Sequence, residues 1–261
     1  MNDLPTIRRS LSKKFRHALW RPFVAAIKQY DLIQEEDTIA VCISGGKDSM
    51  LLALLMQALH QHSIFPFTLR YMAMDPGYNP LNRHKIESNA AHLGLSLDWF
   101  SSNIFDTVTG TTRSPCYLCA RMRRGHLYAH ARTLGCNKIA LGHHMTDAVE
   151  TLLMNMLHSG KTETMPPRLS SRNFPNMELI RPLYGISETA ITAWARYNGL
   201  QFIACGCPLA ENCNLHTPGS GARRPATKAL LAQLTHENPH AETHLWQSMH
   251  AVNMAMLPPQ S

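Results

Sequence analysis

Residues 38 to 49, TIAVCISGGKDS, constrain the fold more than any other part of the chain. The β-branched and apolar run from Thr38 to Ile43 is typical of a strand that is buried on both faces. It passes directly into a short polar loop with two glycines, and an apolar helix is predicted to follow from Met50 to His60. A strand, a loop and a helix in this order predict a chain in which strands and helices alternate.

The alternation continues along the rest of the chain. The further predicted strands are Phe67 to Met74, Leu95 to Phe100 and Lys138 to Leu141, with a short apolar piece at Leu179 to Leu183. The further predicted helices are Pro80 to Leu93, Cys119 to Leu134, Thr146 to His158 and Ser187 to Asn198, with two more in the tail from Ala226 to about Met254. Strands separated by helices favour an α/β fold, a doubly wound parallel sheet covered on both faces.

The amino-terminal segment is basic and amphipathic. Apolar residues recur at helical spacing from Ile7 to Tyr30, which predicts one helix on the surface. The chain has 25 Lys and Arg against 18 Asp and Glu, and this net charge of +7 favours a polyanionic partner, with a solvated basic face as the alternative. The basic clusters are Arg8, Arg9, Lys13, Lys14, Arg16 and Arg21, then Arg121, Arg123 and Arg124, and finally Arg223 with Arg224.

Several classes of protein are excluded by length and composition. A chain of 261 residues with 44% hydrophobic residues has enough apolar content for a substantial core, which excludes disorder as the main state. The sequence lacks 18 uninterrupted apolar residues, and its first 20 residues lack the apolar stretch of a secretory signal. We therefore expect a cytoplasmic protein with no membrane partner.

The loop from Ser44 to Ser49 has the composition of a phosphate-binding turn. Gly45 and Gly46 allow backbone N–H groups to turn inward, and the amino end of the following helix adds partial positive charge. Lys47 can neutralise phosphate charge, and the two serine hydroxyls can donate hydrogen bonds. The loop lacks the spacing of a Walker A loop or of a dinucleotide-binding loop. The alternative is an ordinary strand-to-helix turn capped by Ser or Asp.

The cysteines favour metal or cluster chemistry. Seven cysteines without an export signal argue against a disulfide framework. Cys116 and Cys119 have a spacing that lets both thiolates reach one metal ion or cluster, and the three neighbouring arginines favour the thiolate form. A redox pair and buried core thiols are the alternatives.

Further cysteines could complete such a site. A zinc ion needs two more ligands, and an iron–sulfur cluster needs up to two more. The downstream candidates are Cys205, Cys207 and Cys213, and spacing alone does not decide among them. Cys42 and Cys136 are predicted to be buried core thiols.

A third motif follows the predicted strand at Lys138. His143 and His144 come directly after it, and Asp147 lies on the next predicted helix. Polar residues at the carboxyl end of a parallel strand lie where open α/β sheets bind ligands, so Asp147 could hold Mg²⁺ or a ribose and His143 could face a nucleotide. The alternative is a structural histidine pair.

These motifs together resemble a known family. VCISGGKDS looks like the pyrophosphate loop of the PP-loop ATPases. Over nearly the whole chain, the order of the motifs resembles that of the tRNA 2-thiocytidine synthetases. The motifs that follow the loop are PCYLCARMRRG, KIALGHHMTDAVETLLMNML, MPPRL, LIRPLYG and a late cysteine group. The resemblance implies a sheet of the adenine nucleotide alpha hydrolase type. It also implies ATP, Mg²⁺, a 4Fe-4S cluster, and replacement of the adenylated C2 oxygen of cytidine 32 in the tRNA anticodon loop by sulfur.

The resemblance also assigns residues. It implies that Ser44 to Ser49 bind pyrophosphate and that His143, His144 and Asp147 lie on the nucleotide side. The residues expected to act in catalysis are Lys47, Asp48, Cys116 and Cys207. Cys116 and Cys119 become two cluster ligands, and either Cys207, which we prefer, or Cys205 becomes the third. Two positions depart from the family pattern, because Thr146 replaces an acidic residue and the late cysteines are not spaced as C-x-x-C.

Partners and boundaries complete the expectations. The implied partners are tRNA, a sulfur donor such as a cysteine desulfurase or free sulfide, and a second copy in a homodimer. The expected divisions are a basic helix at 1–34, a PP-loop ATPase domain at 35–204, and a late cysteine segment with helices at 205–261. Two interpretations compete with this one. The first is sulfur transfer to, or amidation of, another RNA base or a small-molecule acceptor, and the second is a zinc-stabilised RNA-binding module. The residues expected to contact RNA phosphates are Lys13, Lys14, Arg16, Arg121, Arg123 and Arg124.

Overall fold

The computed structural model describes residues 1–102, 104, 115–203 and 223–256, with residues 115–120 described by their backbone. The described residues form two compact units. The first unit contains those of 1–144 and 166–203, and the second contains 145–165 and 223–256. No helix in this part of the chain is both long enough and apolar enough to cross a membrane.

The first unit is built on a sheet. Its six described strands are β1 (Thr38–Ile43), β2 (Thr68–Asp75), β3 (Asp98–Ser101), β4 (Lys138–Ala140), β5 (Arg168–Ser170) and β6 (Glu178–Ile180). Their order across the sheet is β3-β2-β1-β4-β6-β5, and every neighbouring pair is parallel except β5 with β6. The parallel α/β sheet predicted from the sequence is confirmed.

Helices precede, separate and follow these strands. In the first unit they are α1 (Leu4–Ser12), a π-helix (Arg16–Trp20), α2 (Arg21–Gln29), α3 (Lys47–Gln61), α4 (Pro80–His92), α5 (Pro115–Thr133) and α7 (Glu188–Tyr197). In the second unit they are α6 (Met145–Ser159), α8 (Arg223–Glu237), α9 (Ala241–Ser248) and a short 3₁₀ helix (Met254–Met256).

The two faces of the sheet have separate cores. Alternate residues of β1 point to opposite faces, as the pleat of a strand requires. Ile39, Val41 and Ile43 join the core that contains residues of α1 to α4 and α7. Ala40 and Cys42 join the core on the other face, which contains α5 and Cys136. The sheet is therefore covered on both faces, and Cys42 and Cys136 are the buried core thiols that the sequence predicts.

The amino-terminal segment is helical, but the single helix predicted from Ile7 to Tyr30 is wrong. Helix α1 ends at Ser12, the backbone turns at Lys13 with φ −113° and ψ −84°, and the π-helix and α2 follow. The apolar residues Ile7, Leu11, Phe15, Leu19, Phe23 and Ile27 repeat every four positions, and all six are buried.

The spacing of four explains the break. A straight α-helix has 3.6 residues per turn, so positions four apart drift by about 40° at each step and about 200° over the six residues. The turn after Ser12 and the wider π-helical turn take up this drift. The repeat therefore selects an interrupted helix, because only such a helix keeps all six side chains on the core.

One strand was not predicted. The segment that contains β5 reads as a Pro-rich loop, yet Arg168–Ser170 pairs antiparallel with Glu178–Ile180 at the edge of the sheet. Three residues are too few to show the alternation that identifies a strand. The strand forms because β6 offers an unpaired edge.

The second unit is a small helical cluster. Val149, Leu153 and Leu231 are buried there, with Leu245 and Trp246 packed against them. These contacts join α6, α8 and α9, so the helical tail predicted from the sequence is confirmed.

Candidate functional site

The loop between β1 and α3 lies at the carboxyl edge of the sheet. Gly46 is the residue before α3 and has extended backbone angles, and no side chain among the described residues caps this end of the helix. The Ser49 hydroxyl instead donates to the Gly46 carbonyl at 3.0 Å and accepts from the Ser44 backbone N–H at 3.2 Å. These bonds fix the loop while they leave the amino end of α3 without a side-chain acceptor, as an anion-binding turn requires.

Lys47 is held by two carboxylates. Its Nζ lies 3.2 Å from Asp48 Oδ1 and 3.0 Å from Glu188 Oε1, at the start of α7. Burial acts to lower the pKa of Lys47, but the neighbouring carboxylates outweigh it, so the pKa of this ammonium is raised. A permanently charged lysine therefore stands at the turn where the sequence predicts phosphate binding.

Two glycines allow the loop to pack closely. Gly45 has φ +82°, and a Cβ there would lie 2.4 Å from Ile86 Cγ1 and 2.9 Å from Ile203 Cδ1. A Cβ on Gly142, in the segment after β4, would lie 3.0 Å from the Asp48 carbonyl carbon and from the Ser49 nitrogen. Side chains at these two positions would displace the loop, because contacts this short must be relieved by movement.

The histidine motif meets the loop from the neighbouring strand. His144 is buried, and its Nε2 lies 3.8 Å from Asp48 Oδ1. His143 is half-buried in the same segment. The structure thus brings His144, Asp48 and Lys47 together at one edge of the sheet, since β1 and β4 are adjacent and parallel.

The second unit contains Asp147, the remaining predicted nucleotide residue. Its Oδ1 lies 2.5 Å from an Nη atom of Arg224 on α8, and Arg224 Nε lies 3.1 Å from Glu150 Oε2. Thr146, which stands where the family pattern has an acid, donates a hydrogen bond to Glu242 on α9. Burial, the largest effect, raises the pKa of Glu150 even though Arg224 opposes it.

The predicted cluster ligands are only partly described. Cys116 and Cys119 lie in the first turns of α5, on the helix that the sequence predicts to begin only at Cys119. The late candidates Cys205, Cys207 and Cys213 lie outside the described residues. Because Cys42 and Cys136 are buried in the sheet core, the other five thiols are those left for a metal or cluster.

The predicted RNA-binding residues lie on helices or, for Lys13 and Lys14, in the turn between α1 and the π-helix. Lys13, Arg16, Arg121 and Arg124 are exposed, and Arg123 is half-buried. Lys14 is also exposed, and its Nζ lies 4.4 Å from the centre of the Tyr197 ring. This cation–π contact holds one lysine of the basic segment against an aromatic residue of α7.

Sequence reasoning missed three residues of these arrangements. Glu188 is 141 positions from Lys47, and Glu242 is 96 positions from Thr146. Arg224 was read only as part of a basic cluster. Each is an ordinary charged residue on a helix, so no local signal identifies its partner.

Comparison with known proteins places the chain in a family. A family model described as PP-loop domain matches residues 19–205. The tRNA-cytidine(32) 2-sulfurtransferase from Geobacter sulfurreducens is 34% identical over 240 residues, which cover 91% of this chain and 89% of that protein. The protein of the same name from Syntrophotalea carbinolica is 36% identical over 223 residues, with coverage of 84% and 83%.

A solved structure has the same fold. The U34-tRNA thiolase NcsA from Methanococcus maripaludis, solved with its 4Fe-4S cluster, superimposes with a TM-score of 0.65 at 20% identity, covering 88% of this chain and 76% of that one. At this identity the likeness concerns the fold. The family match spans most of the chain, and the sulfurtransferases match nearly all of it, so the chain belongs to the PP-loop family and, within it, to the tRNA 2-thiocytidine synthetases.

Proposed function

We propose that this chain is an ATP-dependent tRNA sulfurtransferase that replaces the C2 oxygen of cytidine 32 with sulfur. The observation that carries the proposal is the loop from Ser44 to Ser49, where a charged lysine stands beside a helix end that no side chain of the described residues caps. The relatives named tRNA-cytidine(32) 2-sulfurtransferase support the substrate and the reaction.

The chemistry needs activation of a poor leaving group. In the proposed reaction, the cytidine C2 oxygen attacks the α-phosphorus of ATP, the bond to the bridging oxygen breaks, and pyrophosphate leaves. A sulfur nucleophile then adds at C2, and the oxygen departs as part of AMP. Lys47 and the amino end of α3 would stabilise the charge that develops on pyrophosphate, which is an electrostatic and positioning role.

The residues at the loop fit ATP and Mg²⁺. Glycine backbone N–H groups can turn toward phosphate oxygens. At Gly45 the absence of a Cβ also lets the loop pack on Ile86. Asp48 offers a carboxylate beside Lys47, and carboxylates are preferred ligands of Mg²⁺. His143 and Asp147 are proposed to act on the nucleotide side, as the family resemblance implies.

The remaining cysteines have the donor chemistry for a 4Fe-4S cluster. We assign Cys116, Cys119 and Cys207 as its ligands, with Cys205 as the alternative third ligand. Bound there, the cluster would supply the iron–sulfur chemistry that delivers sulfur to the base. A tRNA thiolase of the same fold was solved with a 4Fe-4S cluster, which agrees with this type of cluster.

The partners complete the proposal. The basic residues Lys13, Lys14, Arg16 and the Arg121 to Arg124 group would bind tRNA phosphates and make binding sensitive to salt. The sulfur would come from a cysteine desulfurase or free sulfide, and the active form would be a homodimer. Light scattering of the purified protein tests the oligomeric state.

The deciding experiment combines metal content with tRNA chemistry. Iron and acid-labile sulfide are measured anaerobically on the wild type and on Cys116→Ala and Cys207→Ala, and tRNA nucleosides from a deletion strain carrying each variant are analysed by mass spectrometry. We expect about four irons per wild-type chain. We also expect both variants to lose iron and 2-thiocytidine.

Two lysine variants test the role of the loop, one at Lys47 and a matched control at Lys161. Lys47→Ala should abolish 2-thiocytidine while it leaves the iron content unchanged. Lys161→Ala, which also removes an ion-paired lysine, 3.6 Å from Glu163, should leave both unchanged. Stoichiometric zinc in place of iron would contradict the cluster assignment, and bound iron with unaltered tRNA would redirect the reaction to another acceptor.

A further inference from the structure

A cavity of about 250 Å³ lies at the end of α3 that is remote from the loop. We call it the Trp20 groove. Its lining includes the polar side chains of Ser12 and Gln61. The other lining residues are cationic, aromatic or apolar, namely Arg8, Arg9, Leu11, Trp20, Ala58 and His62. None of the described residues that line it is acidic.

The interrupted amino-terminal helix builds this groove. Leu11 is buried near the end of α1, and Trp20 is the last residue of the π-helix, where it is half-buried against Phe23. A continuous α-helix would rotate these positions apart. π-helical turns are rare in proteins, and many of those that occur lie at functional sites. The rare turn thus brings an indole beside the basic side of α1.

The cations in the groove differ in how they are held. Arg8 Nη2 donates to the Gln57 side-chain oxygen on α3 at 2.8 Å, which fixes one guanidinium. Arg9 and His62 are exposed at the rim. Neither arginine forms an ion pair shorter than 4.0 Å with a carboxylate in the described part of the chain. Their positive charge is therefore available to an anionic ligand.

An indole beside two guanidinium groups favours an unpaired nucleotide as the ligand of the groove. Bases stack on aromatic side chains, and guanidinium groups bind the adjoining phosphate. The volume is below the range of about 300 to 1,000 Å³ that holds drug-sized ligands, which suits one base rather than a larger molecule. Double-stranded RNA would offer phosphates but no exposed base to the indole.

The position of the groove distinguishes it from the reaction site. Ala58 lies near the carboxyl end of α3, whereas Lys47 begins that helix. At 1.5 Å per residue, the eleven positions between them separate the two by about 16 Å. A nucleotide in the groove is thus not the base that reacts.

We propose that the Trp20 groove binds one unpaired nucleotide of the tRNA and thereby positions the substrate. The base stacks on Trp20, and Arg8 and Arg9 contact its phosphate. The proposal rests on the function proposed above, because it takes tRNA as the ligand.

Binding of an unmodified tRNA transcript at several salt concentrations tests the groove. Trp20→Ala should weaken binding on the order of tenfold with an unchanged salt slope, because it removes stacking. Trp20→Phe should restore most of the affinity. Arg9→Ala should weaken binding and reduce the slope of log affinity against log salt by about 0.7 to 0.9. Arg172→Ala, an exposed arginine outside the groove, is the charge-matched control.

The outcomes separate this proposal from the proposed function. Equal affinity of the wild type, Arg9→Ala and Trp20→Ala for tRNA would overturn the groove, even if the wild type thiolates tRNA. If the wild type thiolates no tRNA but binds it more tightly than Arg9→Ala and Trp20→Ala do, the groove proposal stands and the proposed reaction is wrong. Duplex RNA and single-stranded RNA can each be tested as competitors of tRNA binding. Equally strong competition by the two would overturn the assignment of the groove to an unpaired nucleotide.

Discussion

At the scale of single residues, Gly45 shapes the candidate nucleotide site through the side chain that it lacks. Its backbone has φ +82°, which side-chain-bearing residues rarely adopt, and Ile86 occupies the space where a Cβ would lie. The loop can therefore stay close to α4 while its backbone remains open at the amino end of α3.

We predict that Gly45→Ala destabilises the protein by about 1–3 kcal/mol, because it adds backbone strain and a steric clash. It should also abolish ATP binding. Urea unfolding and calorimetric titration with ATP measure the two effects. Gly125→Ala is the control, since Gly125 lies in α5 with open space around its Cβ position. That change should stabilise the helix by about 0.5–1 kcal/mol, and equal stability of the two variants would contradict the prediction.

Glu150 gives a second prediction at this scale. Burial raises its pKa, so the folded protein holds a proton on this carboxyl more tightly than the unfolded chain does. The free energy of unfolding linked to this group is then highest at low pH and falls as the pH rises from below 4.5 through the raised pKa.

Glu150→Gln mimics the protonated carboxyl and removes this dependence. The variant should therefore gain stability relative to the wild type between pH 4 and pH 7. Urea unfolding of both proteins at the two pH values measures the change. A constant difference between them would show that Glu150 titrates normally.

At the scale of elements, Arg224 connects α8 with α6. It contacts two carboxylates of α6, Asp147 and Glu150, and the side chain of Glu150 is only 5% exposed. Because a buried carboxylate needs a counter-charge, this one side chain stabilises the pairing of two helices.

Arg224→Ala should lower the stability of the second unit by about 1–2 kcal/mol. The figure lies below that of a fully buried pair because Arg224 is half exposed. Arg223→Ala removes an exposed arginine from the same turn and should change stability little. Hydrogen exchange of α8 amides distinguishes the variants, and equal exchange rates would contradict the prediction.

At the scale of the whole molecule, the sheet of the first unit has the candidate nucleotide site at one edge and a buried ion network at the other. The carboxyl edge carries the loop and the histidines. The amino edge carries a buried ion network, in which Lys138 Nζ lies 2.6 Å from Asp37 and 3.6 Å from Glu178 and donates to the Leu32 carbonyl at 3.1 Å. The network joins the starts of β1, β4 and β6.

Lys138→Met should therefore destabilise the protein by about 3–5 kcal/mol, because it leaves the Asp37 carboxylate buried without its cation. The folded fraction should bind ATP with wild-type affinity. Urea unfolding measures the stability, and titration with ATP at urea concentrations below the unfolding transition measures the affinity. Lys161→Met, at an exposed lysine, is the control. A weaker ATP affinity would mean that the two edges are coupled.

Patterns within the amino-acid sequence were enough to predict the alternation, the loop and the family. These are local signals: β-branched runs identify strands, helical spacing identifies helices, and the six small or polar residues from Ser44 to Ser49 identify the turn and the start of α3. The position of the candidate nucleotide site could also be predicted, because the segments that follow two adjacent parallel strands lie at the same edge of the sheet.

The contact partners of those residues could be known from the folded chain alone. Glu188 reaches Lys47, Arg224 reaches Asp147, and Trp20 reaches the end of α3, because the fold brings together positions that are far apart in the chain. Local propensity carries no record of such contacts. The π-helix formed for a related reason: the spacing of four was visible in the sequence, but only packing against the core required the helix to bend and keep every apolar side chain buried.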